Sequence, residues 1–332
     1  MIEIIAEVAQ GYEGSPKLTE LLTKGAIGSD ADAIKFQMVV NDELATPDYV
    51  HYKLFKSLQM DSAVWSDIVS QIHDAGRKVY FDIFGQDSLS IAKTLKADGV
   101  KIHLSDFYNH RLIEESIRNF SRIYISIGGI PLNDLDFLIN EVIKKDNYKN
   151  IYFMYGFQAE PTLLKENNLK KIISYKERYP NFKFGFLDHS AGDEEDAYYL
   201  SLITLGMGID CIEKHITLDR ILEIEDYVSA LEPNGFKDFV RLIRKFESAL
   251  GTNNLDITDM ESQYRKKAVK VVVANRDIKK GEIIGLEDIS LKRVGDSSLG
   301  IPVIKIEEVI NKALTKDVKK YSLIPKEYIC EN

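Results

Sequence analysis

The sequence predicts an α/β fold, a (β/α)8 TIM barrel, followed by a small β-rich domain. Three observations support this prediction. Short runs rich in Ile, Val, Phe and Tyr alternate with longer segments whose apolar residues recur at helical spacing, the pattern of parallel strands joined by helices. Eight such units fit into about 250 residues, the usual length of this barrel. Past residue 250 the chain becomes a polar linker and then β-branched runs broken by a KKGE turn.

Each predicted strand is a β-branched or aromatic run: IEIIAEV (2–8), DAIKFQMV (32–39), KVYFDIF (78–84), GVKIHL (99–104), RIYISI (122–127), NIYFMYGF (150–157), FKFGFL (182–187) and GIDCIEKHI (208–216). The predicted helices have helical apolar spacing and cover 16–27, 62–75, 86–97, 131–145, 161–178, 193–206 and 233–250. We expect a catalytic barrel over 1–250, a linker over 251–267 and a second domain over 268–332.

The composition predicts a folded cytoplasmic protein whose ligands are small molecules. Of its 332 residues, 45% are hydrophobic and 29% charged, which are ordinary globular values. A net charge of -9 argues against nucleic acids or anionic membranes as general partners. The sequence has two cysteines, no signal-like N-terminus and no long apolar run, so we expect neither disulfides nor a membrane span.

Polar side chains stand at the predicted carboxyl ends of the strands, where barrel enzymes place their active sites. In chain order they are Glu7, Lys35, Gln37, Asp82, Lys101, His103, Ser126, Tyr155, Gln158, Asp188, His189, Glu213, Lys214 and His215. Because strand side chains alternate, Glu213 and His215 share the inner face, whereas Lys214 should point outward, toward the helices.

Two histidines, His189 and His215, end the seventh and eighth strands, which are neighbours in a barrel. Two imidazoles so placed can bind one divalent ion such as Mn, Fe, Co or Zn, and Glu213, Asp188 or Asp226 could complete its shell. The alternative is a pair of hydrogen-bonded core histidines.

Two lysines, Lys35 and Lys101, lie within apolar strands, where an unpaired ammonium is costly. They either form structural ion pairs with Glu7 or Asp82, or they bind a phosphate or carboxylate with help from Ser126 and the backbone amides of Gly128-Gly129.

Several stretches resemble the sialic acid synthase (N-acetylneuraminate synthase) family: AEVAQGYEGS, IKFQ, LDHSAGD, and IEKHITLDR followed by DYVSALEP. The tail DIKKGEIIGLEDISLKRVG resembles that family's C-terminal antifreeze-like (SAF) domain. The resemblance implies condensation of phosphoenolpyruvate with an N-acetylhexosamine-type aldehyde, giving a nonulosonic 2-keto-3-deoxy acid and phosphate. It also implies a divalent metal, most often Mn2+ with Mg2+ or Co2+ as alternatives, and a homodimer in which each SAF domain covers the partner's barrel.

The resemblance assigns roles to residues of this chain. His189 and His215 would be the metal ligands, and Glu7, Lys101, Glu213 and Asp226 the catalytic residues. The substrate-binding residues would be Lys35, Gln37, Ser126, Tyr155, Gln158, Asp188 and, from the partner subunit, Arg293.

The chain departs from the family pattern near the expected substrates, at Gly11-Tyr12, at Phe81-Asp82-Ile83, at His103-Leu104 and in MYGFQAEPT after the sixth strand. We therefore expect the family's reaction with a different acceptor, recognised by Tyr155, Phe157 and Gln158. Two alternatives remain: a metal-dependent pyruvate aldolase on the same barrel, and a non-catalytic carbohydrate-binding relative.

Overall fold

The structure, a computed structural model, describes residues 1–143, 150–295 and 299–330. Its first unit, Met1–Gly251, contains a closed barrel of eight parallel strands that follow one another in chain order. The predicted fold class is thus confirmed. The strands are β1 (Glu3–Ala9), β2 (Ala33–Gln37), β3 (Lys78–Ile83), β4 (Gly99–Ile102), β5 (Ile123–Ser126), β6 (Ile151–Tyr155), β7 (Lys183–Asp188) and β8 (Cys211–His215).

Helices connect the strands and bury their apolar faces against the outside of the barrel. In α1, for example, the Ser15 side chain caps the first turn by accepting from the Leu18 amide, and Leu22 and Ala26 face the core. The helices are α1 (Pro16–Gly28), α2 (Asn41–Leu44), α3 (Tyr52–Leu58), α4 (Ser62–Asp74), α5 (Gln86–Thr94), α6 (His110–Asn119), α7 (Leu132–Phe137), α8 (Lys170–Arg178), α9 (Asp196–Leu205), α10 (Pro233–Leu250) and α11 (Asp259–Ala268).

Two predicted helices differ from the observed ones. The helix predicted over 161–178 is a 3-10 turn at Leu164–Glu166 followed by α8, because Asn168 takes a left-handed conformation (φ 46°) that ends the turn. In the helix predicted over 131–145, α7 passes into a π-helical segment at Leu138–Ile143, and positions 144 and 145 lie outside the described residues.

The inside of the barrel has an apolar middle layer. Its buried side chains are Ile5, Ala33, Tyr80, Tyr124, Tyr152, Met154, Leu187 and Cys211. At the amino ends of the strands, Glu3 accepts a hydrogen bond from Tyr80 Oη at 2.8 Å and another from Tyr124, and it pairs with Arg122. Burial acts to raise the pKa of Glu3, but the Tyr124 hydrogen bond and Arg122 together hold it below its ordinary value. The lower end of the barrel is therefore closed by a polar network.

The second unit, Thr252–Asn332, has its own small core. Two antiparallel strands, β9 (Val271–Ala274) and β10 (Ile289–Lys292), contribute Val272, Ala274 and Ile289 to that core. Helix α11 lies largely within the segment predicted as a linker, and Thr258 and Glu261 form a capping box at its start. Within the described part of the chain, no helix has the length and apolar character needed to cross a membrane.

Candidate active site

Five charged side chains from five strands meet inside the upper end of the barrel. The parallel register pairs Glu7 with Lys35, and it pairs Asp82 with Gln37 on one side and with Lys101 on the other. Glu213 of β8 reaches the same group, since β8 closes the barrel against β1. Alternation places all five on the inner face, as the sequence predicts for Glu213.

These side chains form one buried ion cluster. Lys35 Nζ pairs with Glu7 and lies 2.8 Å from Asp82 Oδ1 and 3.6 Å from Glu213 Oε1. Lys101 Nζ lies 2.6 Å from Glu213 Oε1 and 3.6 Å from Asp82 Oδ2. All five side chains are at most 3% exposed. Three carboxylates thus surround two ammonium groups.

Burial and the opposite charges compete in setting the protonation of this cluster. Burial lowers the pKa of Lys35 despite the nearby Asp82 and Glu213. Burial also acts to lower the pKa of Lys101, but Asp82 and Glu213 raise it above its ordinary value. Burial likewise acts to raise the pKa of Glu213, and Lys101 and Lys35 nevertheless hold it below its ordinary value. Lys101 and Glu213 are therefore both charged at neutral pH.

The two histidines lie beside this cluster as a pair. The ring centroids of His189 and His215 are 5.0 Å apart, and both residues are buried. Burial and the Lys101 charge lower the pKa of His189 to about 4. Burial and His189 place the pKa of His215 well below its ordinary value. Both imidazoles are therefore neutral at pH 7, which is the form that binds metal ions.

A third donor, Glu160, completes a group that fits a divalent ion. One ligand atom from each of Glu160, His189 and His215 lies within 4.8 Å of the others. His215 Nε2 lies 3.8 Å from Glu160 Oε1, too far for a hydrogen bond, and His189 Nδ1 is buried without a hydrogen-bond partner among the described residues. Two imidazoles and a carboxylate suit first-row divalent metals.

The Asp226 carboxyl group lies close to Glu160, and each of the two acids affects the protonation of the other. Burial and the Glu160 charge raise the pKa of Asp226 well above its ordinary value, and burial also raises the pKa of Glu160. Asp226 itself sits in the left-handed region at φ 65°, which turns its side chain toward the pocket. Each of the two carboxyl groups therefore keeps its proton to a higher pH than a free carboxyl group does.

A small cavity of about 120 Å³ brings most of the predicted residues together. Its lining consists of Glu7, Gln37, Lys101, His103, Gln158, Glu160, His189, Glu213, His215 and Asp226. Lys35 is fully buried next to this lining, in contact with Glu7 and Asp82. Ser126 is also fully buried, and its Oγ has no hydrogen-bond partner among the described residues.

Two predicted substrate-binding residues, Asp188 and Tyr155, do not line this cavity. Asp188 precedes His189 and so lies on the opposite, helix-facing side of β7, where it binds Lys214 Nζ at 3.0 Å and Ser201 Oγ at 2.7 Å. Lys214 thus points away from the cavity, as alternation predicts. Tyr155 likewise faces the helices, and its hydroxyl donates to Asn167 O at 3.1 Å.

Two further predictions concern residues outside the cavity. Phe157 is 49% exposed and lines a separate cleft with Tyr155. Arg293 belongs to the second unit, where its Nε donates to Ala268 O at 3.1 Å. Its contact with a partner's barrel stays a prediction.

A larger cleft of about 670 Å³ opens beside the small cavity and shares Gln37 and His103 with it. The remaining lining is Gln10, Asp42, Glu43, Leu44, Ala45, Thr46, Tyr49, Phe55, Phe84 and Ser105. None of the described lining residues is Lys or Arg. The cleft is thus aromatic and acidic.

The sequence analysis did not identify Glu160 as a member of the site, nor the residues of the larger cleft other than Gln37 and His103. Glu160 lies in a loop, where no alternation rule indicates direction. Its only signal was an acid in the stretch MYGFQAEPT that follows a barrel strand. Asp82 was named at the end of its strand and as an ion-pair partner but was given no role in the site, although it lies level with Gln37 and Lys101 on the neighbouring strands.

Comparison with known proteins gives two family matches. Residues 22–254 match the NeuB family model, and residues 269–327 match the SAF domain model. The chain is 28% identical to a pseudaminic acid synthase of Campylobacter jejuni, over 95% of this chain and 93% of that protein. It is 23% identical to the N-acetylneuraminate-9-phosphate synthase of Homo sapiens, over 98% and 92% of the two chains. The crystal structure of an N-acetylneuraminic acid synthetase from Leptospira borgpetersenii superposes with a TM-score of 0.73 at 23% identity, over 80% and 92% of the two chains.

Proposed function

Because the chain belongs to the NeuB family, we propose that it condenses phosphoenolpyruvate with an aldehyde sugar, forming a nonulosonic 2-keto-3-deoxy acid and releasing phosphate. One observation carries this proposal. A neutral histidine pair with a carboxylate, suited to a divalent ion, shares one small cavity with a charged lysine and an ionised glutamate. That combination supplies a Lewis-acid position and an anion-binding position within reach of each other.

The residues of the cavity have different roles in this reaction. His189 and His215 would hold the metal ion, which would supply Lewis-acid polarisation of the aldehyde oxygen. Lys101 Nζ pairs with an anionic group of phosphoenolpyruvate while C3 attacks the aldehyde carbon. Asp226, whose pKa burial and the Glu160 charge raise, donates a proton to the aldehyde oxygen as that oxygen becomes a hydroxyl group.

Water then adds at C2 before phosphate leaves. Glu213 is ionised because Lys101 and Lys35 outweigh the effect of burial on its pKa, so it can accept a proton from that water. Glu7, paired with Lys35 on the same inner face, is the second base within the cavity. Loss of phosphate from C2 leaves the keto group of the product.

The lining of the larger cleft favours a neutral sugar as the acceptor. Its aromatic side chains, Tyr49, Phe55 and Phe84, offer apolar faces for a sugar ring and an N-acetyl methyl group, and Gln10 and Gln37 offer amide hydrogen bonds. A phosphorylated acceptor would meet Asp42 and Glu43, with no Lys or Arg among the described lining residues. We therefore propose an unphosphorylated N-acetylated amino-hexose as the acceptor.

A second candidate function, a pyruvate aldolase, is favoured by Asp82. This carboxylate is the third acid beside Lys35 and Lys101, so the two lysines are already neutralised within the protein. Phosphoenolpyruvate carries about three negative charges at neutral pH, whereas pyruvate carries one. A site with little free positive charge binds the less highly charged anion, pyruvate, more readily.

Phosphate release distinguishes these functions. Phosphoenolpyruvate would be incubated with N-acetylated and deoxy amino-hexoses, with Mn2+ or with chelator, using the unaltered protein, His215→Ala and, as a matched control, His73→Ala. His73 is an exposed histidine on α4 that pairs with Asp98. We expect phosphate that requires both metal and acceptor, is lost in His215→Ala and is retained in His73→Ala.

The opposite results are equally informative. In a parallel incubation with pyruvate in place of phosphoenolpyruvate, consumption of pyruvate and sugar would support the aldolase. No turnover of either donor across the panel, in a folded protein that binds metal, would contradict both enzymes and leave the carbohydrate-binding alternative.

A further inference from the structure

Glu160 lies in a loop, and hydrogen bonds to the end of a neighbouring strand fix that loop in place. The loop that carries it follows β6 and is fastened to the end of β7, because the Thr162 amide donates to His189 O at 2.8 Å. Thr162 Oγ1 donates to Ala159 O at 2.9 Å within the same loop. From the other side, Ser229 Oγ donates to His189 O at 3.0 Å. The backbone of one histidine thus fixes the loop that brings the carboxylate.

The two acids near His215 lie beside different nitrogens of its ring. Glu160 Oε1 lies 3.8 Å from Nε2, while Asp226 Oδ2 lies 3.8 Å from Nδ1. Both separations exceed a hydrogen bond and leave room for an ion between oxygen and nitrogen, but Glu160 is the acid that forms a ligand group with both histidines. Asp226, at the other nitrogen, is placed to orient the ring.

We propose that Glu160 is a protein ligand of the divalent ion, so that this chain holds its metal with two imidazoles and one carboxylate. The inference rests on the proposed function only in requiring a metal at this cavity. One ligand atom each from Glu160, His189 and His215 can surround an ion, since all three lie within 4.8 Å of one another. Glu160 is on the solvent side of the two buried rings, and three protein ligands leave positions open for substrate oxygens.

A carboxylate ligand has two physical consequences. It offsets one of the two positive charges of the ion in a region that already contains Lys35, Lys101 and Lys214, so it should raise metal affinity. It also adds a hard oxygen donor, which favours Mn, Fe or Co over metals that prefer sulfur. The metal, once bound, would tie the β6–α8 loop to β7 and β8.

Binding of Mn2+ in the absence of any substrate tests this inference. The electron paramagnetic resonance signal of free Mn2+ would be titrated with the full-length protein and with Glu160→Gln, Asp226→Asn and Glu225→Gln. Glu225 is an exposed acid whose charge acts on Glu160 and Asp226, so its variant removes a nearby negative charge without removing a ligand. Visible absorption of bound Co2+ would report the ligand set directly, and circular dichroism would check that each variant is folded.

We expect Glu160→Gln to weaken Mn2+ binding at least about tenfold and to change the Co2+ spectrum. Glu225→Gln should stay within about threefold, because an exposed charge is screened. Asp226→Asn should lose less affinity than Glu160→Gln. Unchanged affinity and spectrum in Glu160→Gln would overturn the inference, as would a greater loss in Asp226→Asn or absence of Mn2+ binding in the unaltered protein. The titration contains neither phosphoenolpyruvate nor sugar, so a protein that binds Mn2+ through Glu160 but releases no phosphate would refute the proposed function alone.

Discussion

Replacing Lys214 by Met should destabilise the barrel by about 3–5 kcal/mol, the usual cost of removing one partner from a buried ion pair. Lys214 is fully buried, and its Nζ donates to Asp188 Oδ1 at 3.0 Å and to Ser190 O at 2.9 Å. Methionine fills similar space but leaves the fully buried Asp188 carboxylate without a cation. For a domain of this size, the loss corresponds to a fall in melting temperature of about 6–20 °C.

The unfolding of the barrel can be followed by the fluorescence of Trp65, the only tryptophan in the chain. It is 2% exposed, and its ring packs 5.3 to 5.4 Å from those of Tyr12, Phe36 and Phe81. Urea titrations with chelator present would compare Lys214→Met with a control, Lys237→Met. Lys237 pairs with Asp30 at 3.2 Å, but both side chains are more than half exposed, so that variant should change stability by less than about 0.5 kcal/mol.

A double variant, Lys214→Met with Asp188→Asn, completes the test. It removes both charges, so it should be less destabilised than the sum of the two single variants by about 1–3 kcal/mol. A loss below about 1 kcal/mol in Lys214→Met, or strict additivity in the double variant, would refute the idea that this ion pair is a buried, coupled unit.

Two further predictions concern stability. The Tyr124 hydrogen bond and Arg122 outweigh burial and lower the pKa of Glu3, so as the pH falls the Glu3 carboxylate is protonated in the unfolded chain before it is protonated in the folded one. The ionised Glu3 therefore stabilises the fold above about pH 4.5, and this stabilisation is lost as the pH falls further. Glu3→Gln should therefore show a flatter dependence of unfolding free energy on pH between 3 and 5 in denaturant titrations, and an unchanged slope would contradict this. Gly128→Ala should lower the free energy of unfolding by about 1–3 kcal/mol in the same assay, because the added Cβ would overlap Gly156 O. Gly28→Ala is the control, since Gly28 has open space around it and its variant should leave the free energy of unfolding unchanged. Equal effects of the two variants would argue against the overlap.

Most of the fold follows from local patterns in the sequence. All eight strands were predicted because β-branched and aromatic runs recur at regular intervals, and the family prediction is confirmed as well. The helix boundaries were less predictable. The start of α8 depends on the left-handed backbone of Asn168, and the end of α7 on a change from α to π hydrogen bonding, and neither has a clear mark in the sequence.

The site was predictable where it lies on strands and less so elsewhere. Alternation correctly separates Glu213 and His215 from Lys214, and the same rule applied strictly to β7 would have turned Asp188 away from the cavity. Tyr155 was assigned by its chemistry, but its strand position directs it to the helices. Glu160 depends on a loop whose path is set by contacts of Thr162 and Ser229 with the His189 carbonyl, which link residues far apart in sequence.

The apolar middle layer separates two charged regions that share one barrel. Glu3 and Arg122 lie on one side of Ile5, Tyr124 and Met154, and the ion cluster around Lys35 lies on the other. An apolar layer of low dielectric does not screen charge, so an unpaired charge at the lower end would be felt at the upper end; Glu3 is instead paired with Arg122 in its own network. Substitutions that keep the floor charge-balanced can therefore change thermal tolerance while leaving the acid strengths of the reacting groups unaltered, whereas a substitution that unbalances the floor changes both.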